Sequence, residues 1–179
     1  LRLVSDLLVY GEKTQIYQDY KTEELVTEGL VLSPSVFSEL GSSYNVQQVE
    51  GTSDPNIRYS GAGLTLSNDM TLRLKITSTN PSAYTYEVSI NGRTSIYTYE
   101  DLEDNRDGTY YLYFRAIKAT EFDAPITAVI KQEGMQVSQK LTYSVCTYIQ
   151  KNQNSTNTKL SEMLKAIYNY GEAAKLFAN

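Results

Sequence analysis

The segment AYTYEVSINGRTSIYTYE, residues 83–100, constrains the fold more than any other part of the sequence, because an Asn-Gly pair separates two alternating arms. Asn91 and Gly92 both tolerate the positive φ angles of a two-residue type I′ turn, so the segment predicts a tight antiparallel hairpin. One face then carries the pairs Tyr84–Tyr99, Tyr86–Tyr97, Val88–Ser95 and Ile90–Arg93. Since the opposite face is mostly Thr, Ser and Glu, we expect the tyrosine-bearing face to lie against a core.

Further strands show the same alternation. Leu72, Leu74 and Ile76 alternate in MTLRLKIT, and a second hairpin is expected to turn near Glu133-Gly134. The only cysteine, Cys146, lies in LTYSVCTYIQ, which we interpret as a strand with a buried, inert thiol. These patterns predict an all-β chain, an immunoglobulin-like antiparallel sandwich of about seven to nine strands.

The first part of the chain has a less regular pattern. LRLVSDLLVYGEKTQIYQDY predicts two short strands around the turn GEK. Ser33-Pro34 favours the start of a helical turn that Gly41 ends. Residues 50–63 are rich in turn-forming residues and predict a loop.

The C-terminal segment, residues 157–177, predicts an amphipathic helix after a polar linker. Its apolar positions are Leu160, Met163, Leu164, Ile167, Tyr170, Gly171, Ala174 and Phe177, and its polar positions are Glu162, Lys165, Asn169, Glu172 and Lys175. We expect this helix to close the sandwich, with Gly171 permitting a close approach. Residues 1–150 would form the sandwich and residues 151–179 the linker and helix, as one structural unit.

Composition limits the chemistry. The 179 residues include 16 Tyr and no His, so a Ser–His–Asp or Cys–His mechanism has no general base in this chain. We therefore predict a non-enzyme. A carboxylate-pair glycoside hydrolase is the remote alternative, because among 21 acidic residues some pair always lies close.

Charge and hydropathy bear on partners and location. The net charge is −5 and the basic residues are not clustered, which argues against nucleic acid and anionic membranes as partners. No apolar stretch approaches the roughly 20 residues that span a bilayer, so no membrane insertion is expected. The chain begins at Leu1 and shows no signal peptide, and we expect it to be a module of a longer exported protein.

The strand TYYLYFR supplies the candidate ligand-binding residues. Its alternation turns Tyr110, Leu112 and Phe114 toward the core, and Tyr111, Tyr113 and Arg115 away from it. Flat aromatic faces stack on the C–H-rich faces of sugars, and an adjacent guanidinium can donate to hydroxyl groups. The alternative is that exposed tyrosine pairs only stabilise the sheet.

The segment EDLEDNRDG supplies a candidate metal site and the one cofactor that the sequence leaves open. Its start resembles a calcium loop, and Asp101, Glu103, Asp104 and Asp107 are the candidate ligands. An EF-hand would need a bidentate Glu where Phe114 stands. The alternative is a solvated turn in which Asp and Gly serve the backbone.

Three motifs in residues 70–179 resemble a module of large secreted and cell-surface proteins of gut clostridia and ruminococci. The motifs are Ala116, Ile117, Ala119 and Phe122; then Tyr143, Ser144, Val145 and Tyr148, taken as a strand; then Tyr170, Gly171, Ala173, Ala174 and Phe177. The resemblance implies an extracellular location beside carbohydrate-active or adhesive segments. It assigns no catalytic residue, and the matched residue types suit packing.

Two functional hypotheses follow. The first is binding of a polysaccharide or host glycan, for adhesion or retention, through a tyrosine-bearing sheet face or the loops. The second is a structural spacer or a docking module for neighbouring domains of the same polypeptide.

Overall fold

The computed structural model describes residues 2–24, 48–50, 54–66 and 69–178. The helices are α1 (Arg2–Gln18), α2 (Val145–Asn152) and α3 (Thr158–Ala178). The strands are β1 (Gln48–Glu50), β2 (Ile57–Leu66), β3 (Met70–Ser78), β4 (Thr85–Ile90), β5 (Arg93–Tyr97), β6 (Glu103–Asp104), β7 (Thr109–Phe114), β8 (Ile126–Gln132), β9 (Met135–Gln136) and β10 (Lys140–Tyr143). The helical turn predicted for residues 33–41 lies outside the described residues.

The strands form two antiparallel sheets, which confirms the mainly β prediction. The larger sheet has the order β1-β10-β8-β4-β5, with β9 paired to β8, and the smaller has the order β2-β3-β7-β6. Leu74 and Leu112 of the smaller sheet belong to the same buried cluster as Tyr86 and Ile130 of the larger sheet. The arrangement is therefore sandwich-like, with one core between the apolar faces.

The two predicted hairpins are confirmed, together with the register around Asn91-Gly92. Asn91 and Gly92 have φ angles of 47° and 74°, and Tyr86 pairs with Tyr97. Tyr84 and Tyr86 are buried, as expected for a core face. Tyr99 does not pair with Tyr84, because β5 ends at Tyr97 and Asp101 caps a 3₁₀ turn through residues 99–101.

The two N-terminal strands were a wrong prediction, because residues 2–18 form helix α1. One side of α1 packs on α3, where Val9 is buried and the Tyr10 ring stacks on the Tyr170 ring at 5.9 Å. Asp6 is also buried, with Arg2 at 3.3 Å from its carboxylate. The sequence predicts Gly11 in a turn, but Gly11 lies within α1, where contacts with the rest of the fold outweigh its low helix propensity.

Two further segments differ from the expectation. Residues 57–63, predicted as loop, belong to strand β2, because Ile57 and Tyr59 are buried in the core. The motif of Tyr143, Ser144, Val145 and Tyr148 is not one strand, since β10 ends at Tyr143 and Ser144 begins helix α2. The Ser144 side chain accepts from the N–H of Thr147 at 3.0 Å, which is the usual cap of a helix start. Cys146 is buried as predicted, but it lies in α2 and not in a strand, and burial raises the pKa of its thiol to about 12.

Helix α3 agrees closely with the predicted boundaries. Met163, Leu164 and Ile167 are buried as expected, whereas Asn169 is buried although the pattern placed it on the polar face. Phe177 is 78% exposed, because it lies in the last turn, beyond the buried residues. None of the helices in the described ranges is long and apolar enough to cross a membrane.

Candidate functional site

The outward face of the smaller sheet brings Tyr111 and Tyr113 together. Leu112 and Phe114 are fully buried, so alternation along β7 turns the two intervening tyrosines to the opposite side. On the neighbouring strand β3, Lys75 pairs with Tyr111 and Arg73 pairs with Tyr113. Paired residues share a face, and each tyrosine therefore has a cationic side chain directly beside it.

The two rings lie side by side, each with a guanidinium over it. Their centroids are 6.3 Å apart and their planes are tilted by 58°. The Arg73 guanidinium lies 4.7 Å from the Tyr111 ring centroid, and the Arg115 guanidinium lies 5.6 Å from that of Tyr113. These cation–π contacts restrict the motion of the tyrosine and arginine side chains that a ligand would meet. The structure thus brings together all three residues that the sequence proposed for a ligand surface.

Two glycines of β2 leave the sheet without side chains next to Arg73 and Lys75. Gly61 and Gly63 of β2 pair with Lys75 and Arg73 across the sheet. A methyl group built on Gly63 would meet no atom within 4 Å, and one on Gly61 would meet only the Cβ of Lys75 at 3.6 Å. We call the surface formed by Gly61, Gly63, Arg73, Lys75, Tyr111, Tyr113 and Arg115 the tyrosine face. Arg73 and Lys75 of β3 lie between the two tyrosines on one side and the two glycines on the other, where no glycine side chain covers the sheet.

The electrostatics of the tyrosine face are mixed. Glu103 of β6 pairs with Tyr111. The pKa of Tyr113 is raised, mainly by partial burial and to a smaller extent by the neighbouring Glu103 carboxylate. Arg115 lies 3.8 Å from Asp69, and both side chains are largely exposed. Among the described residues, no carboxylate forms an ion pair with Arg73 or Lys75.

The four candidate calcium ligands are used separately. Three of the carboxylates each accept a hydrogen bond from a backbone N–H group nearby in the sequence. Asp101 accepts from Thr98 at 2.8 Å. Asp104 accepts from Arg106 at 2.7 Å, and Asp107 accepts from Thr109 at 2.9 Å. Hydrogen bonds from the Thr109 hydroxyl and N–H hold the pKa of Asp107 below its usual value. Glu103 of β6 pairs with Tyr111 and so borders the tyrosine face. In the part of the chain that the structure describes, no three Asp, Glu or Cys side chains converge, so the predicted calcium loop has no ligand set.

A depression separate from the tyrosine face lies beside the β4–β5 hairpin. It has a volume of about 540 Å³ and is lined in part by Tyr84, Tyr99, Glu100 and Glu133. The Tyr84 hydroxyl donates to Asp54 at 3.3 Å and its ring is mostly buried, so Tyr84 is a packing residue. Tyr99 contacts the Tyr110 ring edge to face at 6.1 Å, which ties this exposed ring to the smaller sheet.

The sequence interpretation missed the other half of the tyrosine face. Alternation in MTLRLKIT already turns Arg73 and Lys75 outward once Leu72, Leu74 and Ile76 are assigned to the core. Their position beside the tyrosines depends on the pairing of β3 with β7, two strands separated by more than 30 residues. No local pattern specifies that pairing.

No protein-family model matches this chain. Nor does any curated protein match it at a significant level.

Proposed function

We propose that this chain is a non-catalytic, extracellular module of a multimodular bacterial protein that binds a polysaccharide or host glycan through the tyrosine face. The observation that carries the proposal is the pair of adjacent, partly exposed tyrosine rings with cationic donors packed over them. The resemblance to secreted clostridial modules supports the extracellular location.

The chemistry of the surface suits a sugar. One face of a pyranose ring presents C–H groups, which stack favourably on an aromatic ring, while its hydroxyl groups need donors and acceptors at the ring edge. Arg73 and Arg115, which lie over the Tyr111 and Tyr113 rings, supply donors next to these rings, and Glu103 supplies an acceptor. Both rings are partly exposed, so a ligand can reach them without unfolding the sheet.

The finer fold assignment belongs to the same proposal. We propose an immunoglobulin-like sandwich closed by α3, with residues 1–150 and 151–179 acting as one unit. Support comes from the buried cluster, which joins Met163, Leu164 and Ile167 of α3 to residues of both sheets. Such an arrangement places Tyr111 and Tyr113 on the side of β7 that faces away from this cluster.

Replacing both tyrosines tests the function. We expect Tyr111→Ala with Tyr113→Ala to weaken retention on the bound polysaccharide in affinity gels by about tenfold or more, because about 1.4 kcal/mol of stacking is lost. The matched control is Tyr20→Ala, which removes a tyrosine that is 59% exposed and does not belong to the strands of the tyrosine face. Full retention by the double variant, with an unchanged circular dichroism spectrum, would contradict the proposal.

One observation favours the second candidate, a module that docks a neighbouring domain of the same polypeptide. Val4, Leu7 and Leu8 of α1 are 60%, 45% and 46% exposed, and their spacing places them on one side of the helix. Hydroxyl-radical footprinting of the longer polypeptide, compared with the isolated chain, would measure whether these three side chains become covered. Equal labelling in the two would count against docking through α1.

A further inference from the structure

We infer that the tyrosine face selects anionic glycans, whose carboxylate or sulfate groups bind between Arg73 and Lys75. The inference rests on the proposed function and adds the class of ligand. It starts from the three cationic residues on the outward side of the smaller sheet, in a protein whose net charge is −5.

Three cationic residues cluster on one surface of an acidic protein. Arg73, Lys75 and Arg115 all lie on the tyrosine face, whereas the chain carries a net charge of −5. The carboxylates in the same region are Glu103, Asp69 and Asp107, the last of which interacts with the Lys75 charge. Asp69 lies 3.8 Å from Arg115, and both are solvent-exposed, so this pair neutralises little of the guanidinium charge.

Arg73 and Lys75 are the two cations of the tyrosine face that form no ion pair with any residue in the described ranges. The Lys75 charge acts on the Asp107 carboxylate without forming an ion pair with it. Arg73 lies over the Tyr111 ring and also lines a depression with Tyr17 and Tyr148. A guanidinium over a ring face still directs N–H groups outward from its edge, in the fork geometry that matches a carboxylate or sulfate.

The geometry around these two residues leaves room for an anion. Residues two apart on a strand lie about 7 Å from each other on the same face. Gly63 and Gly61, which pair with Arg73 and Lys75, present no side chain on the β2 side. Tyr113 and Tyr111 border the other side. An acidic sugar stacked on these rings therefore places its charged group near both cations.

Single-stranded nucleic acid also combines stacking rings with negative charge, but the chain favours a glycan. Nucleic-acid-binding domains usually have a strongly basic balance, which steers the polyanion over the whole surface. This chain has a sequence pI near 4.8, so its attraction for an anion is confined to the tyrosine face.

The test compares polysaccharides that share a backbone and differ in charge. Polygalacturonate and its methyl ester form one pair, and dextran sulfate and dextran form the other. We expect the native chain to bind at least one charged form about tenfold more tightly than its uncharged partner by isothermal titration calorimetry, with affinity falling as sodium chloride rises. A preference within the polygalacturonate pair would indicate recognition of carboxylate groups. A preference within the dextran pair would indicate recognition of sulfate groups.

The decisive variant is Arg73→Gln with Lys75→Gln. We expect it to lose the preference for the charged form and to reduce the slope of log affinity against log salt by about one to two. The control is Lys159→Gln with Lys165→Gln, which removes the same charge from α3 and should leave both properties unchanged.

Three outcomes would overturn the inference. Equal binding of charged and uncharged forms, removed by Tyr111→Ala with Tyr113→Ala, would leave glycan binding intact and refute the anionic preference. Binding of none of the four polysaccharides would count against both proposals. Tighter binding of polyuridylate than of any polysaccharide would assign the tyrosine face to nucleic acid.

Discussion

At the scale of single residues, Gly171 shows how closely α3 approaches the rest of the fold. A Cβ atom at this position would lie 2.5 Å from Cδ1 of Phe122, far inside van der Waals contact. The Phe122 ring is itself held by an edge-to-face contact with Tyr168, with centroids 5.5 Å apart. The sequence interpretation placed Gly171 at a close approach, and the contact with Phe122 confirms it.

We expect Gly171→Ala to destabilise the fold by about 1–3 kcal/mol, because an added methyl group forces the buried Phe122 ring to move. The matched control is Gly11→Ala in α1, where a Cβ meets no atom within 4 Å. There the better helix propensity of alanine should raise stability by up to about 1 kcal/mol. Urea unfolding followed by circular dichroism measures both, and a Gly171→Ala variant as stable as the native chain would refute the packing argument.

At the scale of secondary-structure elements, an ion pair links the β4–β5 hairpin to the turn at residues 119–121. Arg93 lies 2.6 Å from the carboxylate of Glu121, which also accepts from Asn91 at 3.1 Å and from the N–H of Lys118 at 3.1 Å. Burial raises the pKa of Glu121, but these hydrogen bonds and the Arg93 charge together bring it below its ordinary value of 4.5. The turn so anchored carries the chain to Phe122, which packs on α3.

We expect Glu121→Gln to cost about 2 kcal/mol at neutral pH, because three hydrogen bonds to a buried carboxylate lose their charge. A lowered pKa in the folded state gives stability that is present above the unfolded pKa and is lost as pH falls through the folded value. The difference in unfolding free energy between the variant and the native chain should therefore shrink below about pH 4.5. Urea midpoints from pH 7 to pH 3 measure it.

Glu87→Gln is the control for this prediction, since Glu87 pairs with Lys131 at 2.8 Å and its side chain is 20% exposed, against 9% for Glu121. Ion pairs that solvent reaches contribute about 0–1 kcal/mol, so this variant should change stability less. If the destabilisation by Glu121→Gln did not change with pH, the shape of the side chain rather than its charge would account for its contribution to stability.

At the scale of the whole molecule, helices and sheets share one core. Leu164 of α3 is fully buried in the cluster that contains Leu112 and Tyr86. Helix α1 covers another side of α3, where Lys159 pairs with Asp19 at 2.6 Å and Tyr10 stacks on Tyr170. These contacts connect the first helix, the last helix and both sheets.

We expect Leu164→Ala to destabilise the protein by about 2–5 kcal/mol, and the tyrosine near-ultraviolet and helical far-ultraviolet signals to shift together. Leu176→Ala is the control, because this side chain is 66% exposed and its loss should change stability by no more than about 0.5 kcal/mol. Two separate transitions in Leu164→Ala would show that α3 unfolds independently of the sheets.

The sequence by itself determined the elements whose signals are local. The hairpins at Asn91-Gly92 and Glu133-Gly134 follow from turn chemistry, because positive φ angles restrict the residue types. Helix α3 follows from its own apolar period, and the outward direction of Tyr111 and Tyr113 follows from alternation in β7. Each of these depends on interactions within about 20 residues.

Only the tertiary structure decided the elements that depend on distant partners. Residues 2–18 are helical because α3 offers them a surface, and Gly61 and Gly63 lie in a strand because β3 pairs with them. The tyrosine face joins β2, β3 and β7, so its cations meet its rings only after the sheet has formed. Long-range pairing carries no local sequence signature, and this is the physical reason that the alternating pattern identified half of the candidate site.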